Sequence, residues 1–310
     1  MRKLLVIVGL VVMAVAAAET AVATASDRAP TNLAQPRPAW LTDKLEQRIV
    51  AAGPRGVEVR VGRRGSTLEP NCLGYAPPYA GADGVSPTAV SAGTCMVAPQ
   101  GCSMNFVFTD GASNYIGTAG HCLVGGGTVI AQVATRVDPT DTLIVTLAAI
   151  GKVAKKWNAG IGRDFGLVRI SPGFKVVPGV AGALGPTGVF CGDPVGQPVM
   201  HYGHGYVFFV EQGHPKFGEV IPDSQLLYKS PDGFAWVGYG LPGDSGSGVA
   251  NAAGLAVGDL THGIGVAGVP VPGLSFGTEM RAIFGLLGPG YKLVTADGRR
   301  VGCAAGPVGI

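Results

Sequence analysis

Gly243-Asp244-Ser245-Gly246-Ser247-Gly248-Val249 is a glycine-rich turn around a serine, and Thr118-Ala119-Gly120-His121-Cys122 and Arg163-Asp164-Phe165-Gly166-Leu167-Val168 precede it in the chain. A serine hydroxyl is a weak nucleophile until an imidazole takes its proton. The imidazole works best when a buried carboxylate fixes its tautomer and stabilises its cation. Ser245 alone reads equally as a turn serine, and His121 alone as a satisfied core histidine. In the order His121, Asp164, Ser245 they supply base, orienting acid and nucleophile. Asp110 stands just before the histidine, and Asp138 and Asp141 lie between it and the serine, but the strand-like run from Phe165 to Ile170 directly after Asp164 selects it.

Chain order separates the folds that carry such a triad. The order is Ser, acid, His in α/β-hydrolases and Asp, His, Ser in subtilisins. Neither fits, and Gly-x-Ser-x-Gly is not met because residue 247 is Ser. The 310 residues are 47% hydrophobic and 14% charged, enough apolar material for a sizeable core and too little charge for a disordered chain. With 51 Gly and 23 Pro the composition suits short strands joined by turns, an all-β chain. Strand patterns fall at Asn105–Thr109, Tyr115–Ala119, Thr128–Ala134, Thr142–Ala149 and Leu167–Ile170. After a Gly/Pro-rich joint they resume at Pro198–Tyr202, Tyr206–Glu211, Gln225–Lys229, Gly246–Ala250, Leu255–Leu260 and Leu274–Thr278, with a short helix from Glu279 to Leu287. Residues 26–90 hold eight prolines and little strand pattern, and read as a presegment or irregular extension. Within them Leu41, Leu45 and Ile49, with Thr42 near the start and Gly53-Pro54 at the end, predict one short amphipathic helix.

Arg2 and Lys3, the apolar run Leu4–Ala18 and Ala23-Thr24-Ala25 read as an export signal over residues 1–25, cleaved after Ala25. The apolar run is shorter than the roughly 20 residues that span a bilayer, which argues against stable membrane association. Loss of Arg2, Lys3 and Glu19 leaves a net charge near +2, too small to imply a nucleic-acid partner. Six cysteines in an exported chain fit three disulfides. Cys102 and Cys122 flank a strand-turn-strand run that brings them together beside His121, and proximity and elimination pair Cys72 with Cys95 and Cys191 with Cys303. His201, His204 and His214 suggest a metal site only weakly, since His201 and His204 face opposite sides of a strand and no Cys or carboxylate pattern accompanies them. No metal site is expected.

The Thr-Ala-Gly-His-Cys and Gly-Asp-Ser-Gly stretches, with Asp164-Phe165-Gly166-Leu167-Val168 between them, resemble the signature motifs of chymotrypsin-like (trypsin-like, S1) serine proteases, in the style of the secreted bacterial streptogrisin and α-lytic protease branch. The resemblance covers about Cys102 to Leu287. It implies two six-stranded antiparallel barrels with the site in the cleft between them, within a domain of residues 91–290 whose first barrel ends near 178. Residues 291–310 are left as a C-terminal extension. It also implies a secreted endopeptidase working through an acyl-enzyme, without cofactor, acting as a monomer on a peptide or protein substrate. The backbone N–H groups of Gly243 and Ser245 would form the oxyanion hole, and Asp244 would pair with a buried cation, an internal arginine by analogy with bacterial relatives. Activation by a new N-terminus at Ile49, in Arg48-Ile49-Val50, is rejected because Ile49 sits in the expected helix. Thr261 and Gly263 would line the substrate cleft and Tyr239, six residues before Ser245, the pocket base. No carboxylate stands there, so cleavage after Lys or Arg is not expected. The competing class is a catalytically inactive homologue that binds peptides or a protein partner, suggested by the departures at Gly246-Ser247-Gly248 and Thr261.

Overall fold

The computed structural model describes residues 30–63, 89–179, 186–205, 214–226, 230–264 and 273–303. In chain order its elements begin with β1 (Thr31–Asn32), α1 (Asp43–Ala52), β2 (Val57–Arg63), β3 (Ala89–Ser91), β4 (Cys95–Ala98), β5 (Cys102–Ser103), β6 (Val107–Thr109), β7 (Asn114–Thr118), β8 (Thr128–Val137), β9 (Thr142–Asn158), β10 (Asp164–Ile170) and β11 (Lys175–Val177). Then follow β12 (Gly188–Val189), β13 (Pro198–Gly203), β14 (His214–Ile221), β15 (Gly233–Gly238), β16 (Gly248–Asn251), β17 (Leu255–Ile264), β18 (Gly273–Glu279), α2 (Met280–Leu287), β19 (Lys292–Val294) and β20 (Arg300–Val301).

The first half rolls into a barrel because one stretch of chain serves two neighbours. Residues 102–109 pair through β5 with β4 and through β6 with β7, and Asn105 N–H reaches Gly117 O while Met104 N–H reaches Thr94 O. The remaining order β7-β10-β9-β8-β4 completes the circle, with β2 and the β19–β20 hairpin added outside it. Closure removes the free edges that an open sheet exposes. The second half closes outright: β13-β14-β15-β18-β17-β16 returns to β13, every pairing antiparallel. The fold is all-β, a chymotrypsin-like double barrel.

Alternating inward residues fill the first barrel, among them Met96, Met104, Ile116, Val129, Ala131, Ile150 and Val168. The second is packed by Val199, Val220, Phe234, Trp236, Val249, Val257 and Leu260. Between them Phe106, Phe108 and Phe165 meet Ala256 and the apolar face of α2 through Met280, Ile283 and Leu287, so the cleft is framed by rigid walls.

The helix expected around Leu45 is α1, capped by Thr42, whose Oγ1 accepts from Leu45 N–H at 3.3 Å. Such a cap is worth about 1 kcal/mol. The helix seats Ile49, fully buried, on Val97, Val145 and Leu147. Three placements differ from the sequence expectation. A strand, β2, lies in the extension read as poor in strands and pairs along β9. In the second barrel the strands are β14 and β15 rather than Gln225–Lys229; Gln225 ends a 3₁₀ turn. Residues 292–303, expected as an extension, add β19 and β20 and end at the Cys191–Cys303 disulfide. The signal segment 1–25, Cys72 and the run Tyr206–Glu211 lie outside the described residues. No helix among the described residues is long and apolar enough to cross a membrane.

Candidate active site

His121 rides on a 3₁₀ turn, Gly120–Leu123, that ends β7 and is tied to β5 by the Cys102–Cys122 disulfide. Gly120 permits the turn to press against the barrel, since a Cβ there would lie 1.7 Å from Trp157 O. Asp164 opens β10 and Ser245 sits in the turn before β16. The three side chains are buried and connected: His121 Nδ1 is 2.5 Å from Asp164 Oδ2, and His121 Nε2 is 2.8 Å from Ser245 Oγ. Asp164 Oδ1 accepts from His121 N–H at 2.8 Å, fixing the ring relative to its own backbone. A carboxylate can only accept, so Nδ1 carries the hydrogen and Nε2 is left to take the serine proton. Thr261 O lies 3.0 Å from Ser245 Oγ and competes for the same hydroxyl hydrogen. His262 stands edge-on to His121 at 5.7 Å, its Nδ1 3.8 Å from Asp164 Oδ2 and 2.9 Å from Thr261 Oγ1.

The loop before Ser245 is braced from both barrels. Gly243 has φ +101°, a conformation that L side chains rarely adopt, and turns its N–H into the cleft. Its carbonyl accepts from Ser103 Oγ at 2.9 Å, and Ser103 N–H donates to Ser245 O at 2.8 Å. Asp244 is fully buried, and its cation is Lys216 of β14, Nζ to Oδ1 2.9 Å, where an arginine was expected. A single β-strand lysine beside Pro215 looks like surface in the sequence; the fold turns it inward. Asp244 also accepts from Gly205 N–H at 2.6 Å and Leu241 N–H at 2.9 Å. Burial pushes its carboxyl up, but Lys216, then His201 and the hydrogen bonds together hold it below the usual range.

Burial drives His201 and His204 down to about 4, so both rings are neutral at pH 7. His201 Nε2–H donates to Tyr239 O at 2.6 Å, and its Nδ1 accepts from Ser247 Oγ at 3.0 Å, linking the two ends of the nucleophile loop. That accounts for Ser247, and Gly248 leaves room for the Phe106 ring 2.7 Å from where a Cβ would stand. His204 Nε2–H donates to Gly93 O at 2.5 Å. Behind Asp164, Asp259 is buried with Oδ2 unpartnered among the described residues; burial and then the Asp164 charge raise its carboxyl well above the usual range.

The cleft itself contains chain. β1 pairs antiparallel with β17, Thr31 opposite Gly263 and Asn32 opposite His262. Leu33 N–H points to Thr261 O at 3.4 Å and to Ser245 Oγ at 3.0 Å, and Leu33 O accepts from Gly243 N–H at 2.5 Å. The Leu33 side chain is 7% exposed, against Gly263 and Gly240, where added Cβ atoms would lie 3.1 and 3.0 Å from its Cδ1. Beyond Ser245, Gln35 and Gly101 exchange two backbone hydrogen bonds of 2.8 and 2.9 Å, and Gln35 Nε2 donates to Pro242 O at 2.8 Å. Of the residues expected to contact substrate, Thr261 and Gly263 thus line the cleft. Tyr239 contributes its carbonyl to His201, while Gly240 beside it meets Leu33. Sequence reasoning missed Leu33, Gln35, Lys216 and Ser103, none of which belongs to a motif.

The disulfides Cys102–Cys122 and Cys191–Cys303 are formed and Cys95 is disulfide-bonded, its expected partner Cys72 lying outside the described residues. Such bonds suit an oxidising compartment. No family model and no curated protein matches the sequence. Similar solved structures include Thermobifida fusca protease A, 21% identical over 67% of this chain and 99% of that one with TM-score 0.47. Cellulomonas bogoriensis chymotrypsin is 20% identical over 66% and 98%, TM-score 0.46, and an α-lytic protease homologue 16% over 64% and 97%, TM-score 0.42. With both barrels closed and three motifs meeting between them, the chain has the double-barrel architecture of bacterial chymotrypsin-like serine proteases.

Proposed function

We propose that the chain is an exported serine endopeptidase that hydrolyses peptide bonds through His121, Asp164 and Ser245. The observation that carries the reading is the unbroken line from Asp164 Oδ2 through His121 to Ser245 Oγ, two contacts of 2.5 and 2.8 Å in a buried site. Ser245 Oγ attacks the carbonyl carbon as His121 Nε2 takes its proton, and Asp164 stabilises the imidazolium. The negative charge that develops on the carbonyl oxygen is met by Gly243 N–H, with Ser245 N–H as the second donor of the hole; such a donor is typically worth about 3 kcal/mol in the transition state. His121 then protonates the leaving amine, and water releases the acyl group by the same steps reversed. The Lys216–Asp244 pair holds the loop that presents Gly243 N–H, so the hole is set before substrate arrives.

Exchange of Ser245 for Ala should abolish hydrolysis of a casein or peptide-library substrate by the purified exported protein, a loss on the order of 10⁶ in kcat, with circular dichroism unchanged. Hydrolysis that survives Ser245→Ala would remove the reading. Wild-type protein that binds peptides in the cleft without cutting them would instead point to the inactive homologue.

A further inference from the structure

Resting on that proposal, we infer that the segment Thr31–Gln35 is the chain's own substrate: it fills the cleft and is cut by Ser245 of the same molecule between Leu33 and Ala34. The primary pocket accordingly takes leucine. Four observations converge on that bond. Upstream, Thr31 and Asn32 add a strand to β17, the mode by which an extended peptide gains affinity from main-chain hydrogen bonds while a pocket reads its side chain. Downstream, Gln35 and Gly101 pair in both directions, so the chain is held on either side of the nucleophile. Between them Leu33 O sits on the Gly243 N–H, the donor assigned to the oxyanion hole. Leu33 N–H lies 3.0 Å from Ser245 Oγ, and the carbonyl carbon to be attacked is two bonds from that nitrogen and one from Leu33 O. No other peptide bond of the segment has its carbonyl on that donor.

The pocket carries the specificity. Leu33 is buried between Gly240 and Gly263, with Ser275 Oγ also against the Gly240 wall, and the glycines are spaced so that a β-carbon on either would meet a leucine methyl. An apolar branched side chain of four carbons fills the space. A lysine or arginine would bring a charge against Gly240, Gly263 and Ser275, none of which carries a carboxylate.

In the reaction, Ser245 Oγ bonds to the Leu33 carbonyl carbon as its proton passes to His121 Nε2. The Leu33–Ala34 bond then breaks, the Ala34 nitrogen leaving with the proton from His121, and water hydrolyses the Leu33 acyl-enzyme to a free carboxylate. Among the described residues the upstream peptide is held by β1 and the pocket, and it can depart. Ala34 becomes a new N-terminus that Gln35, through Pro242 O and Gly101, keeps beside the site. Its retained amine competes with water for the acyl-enzyme, which makes the cut slow.

The test follows the N-terminus of the exported full chain by intact mass and N-terminal sequencing over time. Wild type should convert to a chain beginning at Ala34 at a rate unchanged over 100-fold dilution, as cleavage in cis requires. Ser245→Ala, with unchanged circular dichroism, should keep the bond. In Leu33→Asp the carboxylate is expelled from the apolar pocket, so the bond should stay intact and a fluorophosphonate probe should label Ser245 at least tenfold faster than in uncut wild type. Thr-Asn-Leu-p-nitroanilide should be cleaved with kcat/KM about 100-fold above Thr-Asn-Lys-p-nitroanilide. Protein that reacts with the fluorophosphonate yet keeps Leu33–Ala34 intact, cuts it at a rate that rises with concentration, or shows no preference for leucine would overturn the inference and leave the protease reading standing. If neither wild type nor Leu33→Asp reacts with the probe, the protease reading itself fails.

Discussion

At the scale of single residues, the chemistry of the site was legible wherever a residue's role is written into its neighbours. Gly243 had to be glycine for an N–H facing the cleft, and its φ of +101° shows why. Gly243→Ala places a Cβ 3.0 Å from His204 O on a strained backbone, so steady-state kinetics should show kcat falling by about 10² with KM little changed, the signature of a contact made in the transition state. Asp164→Asn would leave the packing intact but offer His121 Nδ1 an ambiguous partner. We expect kcat to fall about 10⁴-fold at pH 7 with the melting temperature nearly unchanged; a loss below tenfold would show that Asp164 does not set the tautomer. Lys216 was not legible. It stands between Pro215 and Phe217 in a strand with no motif around it, and only tertiary pairing of β13 with β14 brings it to Asp244. Lys216→Met strands a buried carboxylate and should destabilise the protein by about 3–5 kcal/mol in urea titration, while Lys216→Met with Asp244→Asn recovers part of that loss.

Among elements, β2 was overlooked within a proline-rich stretch although Val57-Glu58-Val59-Arg60-Val61 alternates after Gly53-Pro54, whereas the other strands that were missed carry no such signal. β15, Gly233-Phe234-Ala235-Trp236-Val237-Gly238, is nearly continuous apolar sequence because both faces are covered, so no period of two marks it. β14 carries a proline and a lysine, which argue against a strand in the sequence. β1 is two residues long and has no pattern of its own; its register is imposed by Gly263 and His262 of β17. The Cys102–Cys122 link was legible because the strands that flank it form a hairpin, and it fastens the turn bearing His121. Replacing both cysteines by serine should cost about 3 kcal/mol of stability, read as a lower urea midpoint, with a further loss of kcat at temperatures where the protein is still folded. An unaltered kcat would show that the turn holds His121 without the bond.

For the whole molecule, the two closed barrels determine which titrations matter, because they bury ionisable groups that an open sheet would leave wet. His201 and His204, pushed by burial to about 4, are neutral in the fold but protonate in the unfolded chain below about pH 6.5. The unfolded state therefore binds more protons between those limits, and stability is complete above pH 6.5 and lost as the pH falls towards 4, by an order of 3 kcal/mol per histidine. Asp259 runs the other way: its raised carboxyl favours the fold at low pH and is lost as pH rises towards its folded value. Two groups against one give a net rise in stability from pH 4 to 6.5, and Asp259→Asn, which removes the opposing carboxyl, should steepen that rise at its acid end; thermal melts across this range read both effects. The all-β class was legible from composition and strand pattern, and the two barrels from the family resemblance, whereas the groups they bury were not, since burial is a property of the closed sheet.

The claim on which the rest depends is that Ser245 is a nucleophile activated by His121. Tandem mass spectrometry of the purified protein after a fluorophosphonate treatment tests it directly. The account predicts a single phosphonyl adduct on Ser245 in the wild type, and none in His121→Ala over the same time. An adduct formed equally in both proteins, or one on another serine, would contradict it.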